Sequence, residues 1–210
     1  MVPNPIRAQD WPLGAVEHDD VLRIGRMDPV KGAHRAIEAA RLASRNLVLA
    51  GPVQTGQQQY FRERIEPHID RHRVRYVGEI AGTAKQRLYA NAQALLMPVR
   101  WREPFGMVMI EAVATGTPVI AFPEGAAAEI VIDGENGMLV SDEHEMARAM
   151  DQMGAIDPAR CRASVAERYD ITVTTTGYER VYRRVADVGR ASAALAPPTP
   201  SSMGSVKRRR

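Results

Sequence analysis

Short, mostly apolar runs recur along this chain, alternating with stretches of helical periodicity. Val21 to Gly25 (VLRIG) is the first run. Leu47 to Ala50 (LVLA), Val74 to Val77, Ala94 to Met97 and Pro118 to Phe122 (PVIAF) follow, most of them stopping at or next to a glycine or proline. Runs of this length without polar alternation predict parallel strands buried on both faces. Between them, Ala33, Ala36, Ile37 and Ala40 fall at i, i+3, i+4 and i+7, one face of an amphipathic helix. Further helices are predicted over 57–69 and from a Thr83/Gln86 capping box through Ala90. Another spans Phe105 to Thr115, bounded by Pro104 and Gly116, and a short one covers 126–130. Ser141 is placed as the cap of a helix presenting Met146, Ala149, Met150 and Met153, and Gly134 and Gly137 mark turns. Two more helices follow, over 158–168 and 173–187.

Strand–helix alternation of this kind predicts an α/β fold, a parallel sheet covered on both faces. Four segments are expected: an irregular lead-in over 1–20, a sheet domain over 21–155, C-terminal helices over 156–188, and a disordered tail over 189–210. In such sheets ligands bind outside the carboxyl ends of the strands, which directs attention to loops 25–32, 51–56, 78–83, 98–106 and 122–127.

Composition changes this picture little. The chain has 210 residues, 45% hydrophobic and 25% charged, ordinary for a globular protein that needs no disulfide framework. Cys161 is the only cysteine, which fits a reducing cytoplasmic setting. No apolar run reaches membrane-spanning length, and the first residues lack the apolar core of a secretion signal. Formal net charge is +3, but the last four residues are all basic, so the rest of the chain carries −1. The basic character is thus a property of the tail and gives no reason to expect nucleic acid. Four such charges would attract an anionic membrane surface only weakly.

Gly51 and Gly56 have the spacing of a phosphate-binding P-loop, but Gln57 and Gln58 stand where its Lys and Ser/Thr belong. His68 and His72 lack a third ligand nearby and read as solvated histidines, so no metal is assigned. Two constellations carry more. In GRMDPVKG, Arg26 and Lys31 meet at a strand-to-helix junction, where a helix N-terminus already disfavours a cation. A bound anion, such as a diphosphate, would reconcile them; two solvated side chains are the alternative. In EPFGMVMIE, Glu111 sits among Met107, Val108, Ile110, Ala112 and Val113. A carboxylate so placed needs a partner, which sugar hydroxyls or an internal salt bridge would supply. Gly106 opens backbone N–H groups at the helix start, and Glu103 is within reach of the same ligand.

From about Val21 to Arg184 the chain resembles the C-terminal, donor-binding domain of retaining GT-B glycosyltransferases of family 4 (group 1). The blocks GRMDPVKG, VGEIAGTAKQRLYANAQALLMPV, EPFGMVMIEAVATGTPVIA and GAAAEIVIDGENGMLV carry the likeness, the third with the E-x7-E pattern. The resemblance implies a single Rossmann-like sheet domain with C-terminal helices, the second half of a GT-B fold. It implies that Arg26 and Lys31, after Gly25, hold the donor diphosphate and stabilise the leaving nucleotide. Glu103 would contact the transferred sugar. Phe105, Gly106 and Met107 would offer backbone N–H groups, Glu111 would bind ribose hydroxyls, and Gly78 to Ile80 would lie against the base. The nucleotide-diphosphate sugar would be a substrate, transferred with retention and without a divalent metal or other cofactor.

The lead-in resembles the segment before the second domain of such enzymes, so an acceptor-binding half is missing from the reading. Three expectations follow: a transferase chain inactive alone, one half of a split enzyme whose partner chain supplies the acceptor domain, or a non-catalytic nucleotide-sugar-binding module. Tyr178 and Tyr182 resemble the helix that crosses back to the first domain, which would leave its apolar face exposed or docked on a partner.

Overall fold

A computed structural model of the chain describes residues 2–14 and 19–195, with 188–195 as helical backbone. Six strands form one sheet: β1 (Val21–Ile24), β2 (Leu47–Ala50), β3 (Val74–Tyr76), β4 (Ala94–Met97), β5 (Val119–Ala121) and β6 (Gly137–Leu139). All neighbours are parallel, in the order β3-β2-β1-β4-β5-β6. Every residue of β1, β2, β4 and β5 is buried, as runs apolar but for Arg23 require; edge strand β3 is half-buried. The order makes this a Rossmann-like α/β fold. Its strand order reverses between β1 and β4, and that crevice is where such sheets hold ligands.

Helices α1 (Ala33–Leu42), α2 (Gln58–Arg64), α3 (Gly82–Ala90), α4 (Met107–Ala114), α5 (Ala127–Ile130), α6 (Glu143–Met150), α7 (Pro158–Tyr169) and α8 (Ile171–Leu195) flank or follow the sheet. Helix α1 packs with α6, and α4 with α3 and α7. The lead-in is tied down: Ile6 N–H donates to Tyr169 O at 2.9 Å, and Ile171 N–H donates to Ile6 O at 3.0 Å. Arg162 reinforces the tie, donating to Ala114 O at 2.7 Å and Trp11 O at 2.6 Å.

Several expectations need correction. Gly137 opens a sixth strand, where its backbone lies against Val119 so closely that a Cβ would sit 2.0 Å from Val119 O. No Thr83/Gln86 capping box forms: α3 begins at Gly82, so Thr83 lies inside the first turn, and the N-cap is Ala81. Asp142, not Ser141, caps α6 by accepting from Glu145 N–H; Ser141 instead donates to the Glu145 carboxylate. The helix expected over 57–69 breaks after Arg64 and resumes as a 3-10 turn at Glu66–His68, around Pro67, which lacks an N–H. Phe105 stays outside α4 because Gly106 adopts a left-handed conformation and starts the helix.

The chain divides into two compact units, one through Thr174 and one from Thr175. In the second, Tyr178, Val181, Tyr182 and Val185 share an exposed face of α8, with the two tyrosine rings stacked at 6.2 Å. Helical backbone runs on through Leu195, into the segment expected to be disordered; residues 196–210, including the basic cluster, lie outside the described residues. Among the described residues no helix is long and apolar enough to cross a membrane.

Candidate active site

The loops leaving β1 and β4 enclose a cavity of about 170 Å³ at the strand-order reversal. Gly25, Arg26, Lys31, Glu103, Gly106 and Met107, all singled out from sequence, line it together. The β1 loop turns at Asp28, whose carboxylate accepts from Val30 N–H, and a 3-10 turn at Pro29–Lys31 delivers Lys31. Gly32 then starts α1 in a left-handed conformation, close under Pro98 of the β4 loop.

Lys31 and Glu103 form an ion pair across the cavity, each about 15% exposed. The indole N–H of Trp101 donates to the same Glu103 oxygen at 2.9 Å, and the Lys31 ammonium lies 4.9 Å from the Trp101 ring. Arg26 reaches the loop after β2, donating to Gln54 Oε1 at 2.9 Å. The loop after β5 braces Glu103 from behind: Ala126 N–H donates to Glu103 O at 2.9 Å, and Gly125 lies against the Glu103 backbone. Gly106 has φ 77°, and a Cβ there would lie 2.4 Å from Met109 Cε. Glycine thereby lets the loop enter α4 tightly, leaving the helix's first N–H groups at the cavity.

The other sequence candidates do not line this cavity with their side chains. Phe105 turns its ring onto Tyr169, centroids 5.7 Å apart. Glu111, 8% exposed, finds internal partners: the Lys85 ammonium at 2.7 Å and the Tyr89 hydroxyl, which donates at 2.9 Å. Burial, then the adjacent Glu111 charge, pushes the Tyr89 phenol well above its ordinary pKa, so it stays a donor. Gly78 follows β3 and accepts from Gly51 N–H at 2.7 Å; Ile80 packs half-buried against the core. His68 and His72 are exposed, and among the described residues no three His, Cys, Asp or Glu side chains gather as a metal site would need.

Sequence reasoning passed over Trp101, Gln54, Lys85 and Tyr89, which hold the chosen residues in place. It also passed over Arg23, which lines the cavity from below. Arg23 carried a visible signal, a cation inside an apolar run. Three cations, Arg23, Arg26 and Lys31, thus face one carboxylate, Glu103, in a cavity otherwise walled by glycine, methionine, valine and isoleucine. Such a cavity suits an anion carrying hydroxyl groups.

Fold and cavity together define an α/β protein with a cation-rich cavity at the reversal of its sheet. The chain belongs to the glycosyl transferases group 1 family, whose model matches residues 8–166. It is 32% identical over 147 residues to glycogen synthase of Mycobacterium tuberculosis, covering 66% of this chain and 35% of that protein. It is 33% identical over 123 residues to phosphatidyl-myo-inositol mannosyltransferase of Mycobacterium leprae, covering 55% of this chain and 33% of the relative. Among solved structures it resembles AviGT4, a glycosyltransferase involved in avilamycin A biosynthesis, at TM-score 0.75 and 27% identity, covering 89% of this chain and 58% of that one. It resembles Anabaena HepE, solved in complex with UDP and glucose, at TM-score 0.73 and 26% identity, covering 85% and 55%. The chain therefore spans about a third of the length of these curated relatives and just over half of these structures. Its single sheet domain fits the C-terminal half of a GT-B fold.

Proposed function

We propose that this chain is the donor-binding part of a retaining glycosyltransferase, taking a sugar from a nucleotide-diphosphate sugar. The observation that carries the reading is the excess of positive charge around one carboxylate at the strand-order reversal, in a chain of this family. On this reading Arg26 and Lys31 take the diphosphate, and the first N–H groups of α4 at Gly106 and Met107, with that of Phe105, complete the cradle. As the anomeric C–O bond breaks, charge moves onto the diphosphate, where preorganised cations stabilise it without reorganising. Glu103 receives sugar hydroxyls, exchanging its Lys31 contact in part for them. Glu111 offers its remaining lone pairs to the ribose, and Gly78 to Ile80 lie toward the base. The cations and the helix start would neutralise the diphosphate without a divalent metal. The UDP complex of the HepE relative supports a nucleotide diphosphate as the ligand class.

Transfer also requires an acceptor-binding half, on the same polypeptide or a partner chain; the reading assigns only the donor half to these residues. Calorimetric titration with UDP, GDP and ADP tests it, on the native chain and on Lys31→Ala and Glu111→Ala. Selective binding of one nucleotide, weakened in both variants, is expected. A folded native chain that binds none of the three would overturn the reading.

A further inference from the structure

Arg23 is a buried cation inside the sheet. It lies on central strand β1, paired in register with Leu49, and is 1% exposed. One nitrogen, Nη2, donates to Lys31 O at 2.8 Å and approaches Arg26 O at 3.4 Å. Its Nε and Nη1 atoms are buried without a partner. Among the described residues no carboxylate lies within ion-pair distance of it; Glu103, in the same cavity, is taken by Lys31 and Trp101. Burial draws the guanidinium down to about 10, against nearby charges that pull the other way.

A buried cation with unpaired N–H groups costs stability, and an apolar residue would pack this strand better. The surroundings nevertheless make room for it. Gly25 has φ 137°, and a Cβ there would lie 2.9 Å from Arg23 Nη1. The bare Cα of Gly25 thus lets the guanidinium lie directly under the loop that carries Arg26 and Lys31.

Resting on the donor-site reading above, we propose that Arg23 is a third cationic contact to the donor, its unpaired Nε and Nη1 receiving an oxyanion from the floor of the cavity. Two parts of a donor carry that chemistry: the diphosphate, and a carboxylate on an acidic transferred sugar. Either supplies acceptor oxygens for the N–H groups that the protein leaves without a partner.

The test is titration of the native chain, Arg23→Met and Arg23→Lys with inorganic pyrophosphate, UDP, GDP, ADP, UDP-glucose and UDP-glucuronate. Methionine fills the strand position without charge, so the thermal midpoint without ligand should hold or rise. Affinity should fall about tenfold or more, the scale of a lost charge-assisted contact. Lysine keeps the charge but not the fork and should recover only part. A loss shared by pyrophosphate and every nucleotide assigns the diphosphate; a loss confined to UDP-glucuronate assigns the sugar carboxylate. Native-like affinity for every ligand in folded Arg23→Met overturns the proposal, as does a lowered midpoint with unchanged affinity, which marks a structural residue. Should Arg23→Met not fold, native-like affinity in Arg23→Lys overturns it. A native chain that binds pyrophosphate in an Arg23-dependent way but no nucleotide refutes the nucleotide-sugar reading alone. A native chain that binds nothing overturns both.

Discussion

Lys85→Met removes the ammonium from a carboxylate that the core encloses. Glu111 stands on α4 between Ile110 and Ala112, with Lys85 at 2.7 Å and the Tyr89 hydroxyl at 2.9 Å as its partners. Removing one partner of a buried pair strands the other charge, typically at ~3–5 kcal/mol. Here the side chains are 25% and 10% exposed, so water reaches the Lys85 end and part of the cost is screened. About 2 kcal/mol is therefore expected. For a domain of this size that lowers the thermal midpoint by roughly 4–8 °C. Urea unfolding of Lys85→Met measures it directly. The same substitution in a Glu111→Gln background supplies the control, since the amide oxygen still accepts from Tyr89 but carries no charge. There the loss should shrink to about 1 kcal/mol or less, giving a coupling near ~1 kcal/mol. Equal losses in the two backgrounds, or a loss under ~0.5 kcal/mol in the native one, would refute the idea that Lys85 holds this carboxylate.

Two further outcomes follow from titrating groups that burial shifts. His34 is drawn down to about 4, first by burial and then by Arg35 and Arg64, and its Nδ1 lies 2.8 Å from the Tyr60 hydroxyl. The unfolded chain, with an ordinary histidine, binds this proton more readily, so stability is full above about 6.5 and falls as pH drops toward about 4. His34→Asn should flatten that part of the stability–pH curve; an unchanged slope in urea unfolding would count against it. Cys161 is buried, and burial pushes its thiol up to about 12. A thiol reagent at neutral pH should label it only on unfolding, and rapid labelling of the native chain would contradict this burial.

Five of the six strands were legible as short, mostly apolar runs: β2, β4 and β5 are apolar throughout, as burial on both faces demands, while Arg23 interrupts β1 and Arg75 interrupts the half-buried edge strand β3. Strand β6 was not, because Gly137 reads as a turn while serving to let two backbones approach. The helix-start errors share one cause. Ser141 and Asp142 are both good caps, and Thr83 sits one residue inside a start that a glycine makes, so composition alone does not fix the first residue. Six of the ten site candidates came together because loops at strand ends near the reversal must converge. The partners of Glu111 were out of reach: Lys85 and Tyr89 are more than twenty residues away in sequence, and only the packing of α3 on α4 joins them. Arg23 was visible as a charge in VLRIG but had no periodicity argument to single it out.

The bond pair at Ile6 has a mechanical meaning. Ile6 is hydrogen-bonded to Tyr169 and Ile171, so the path into the first unit and the path out of it run side by side. Anything joined at both points would be held by two adjacent strands instead of one swivel, which restricts twisting while still allowing a bend. Fraying at either point loosens the other, so the two should exchange amide hydrogens as one cooperative segment. The same adjacency makes the unit a self-closing module: a short loop from Asp170 back to Ile6, with new ends opened at an exposed turn elsewhere, should leave the sheet and its cavity intact.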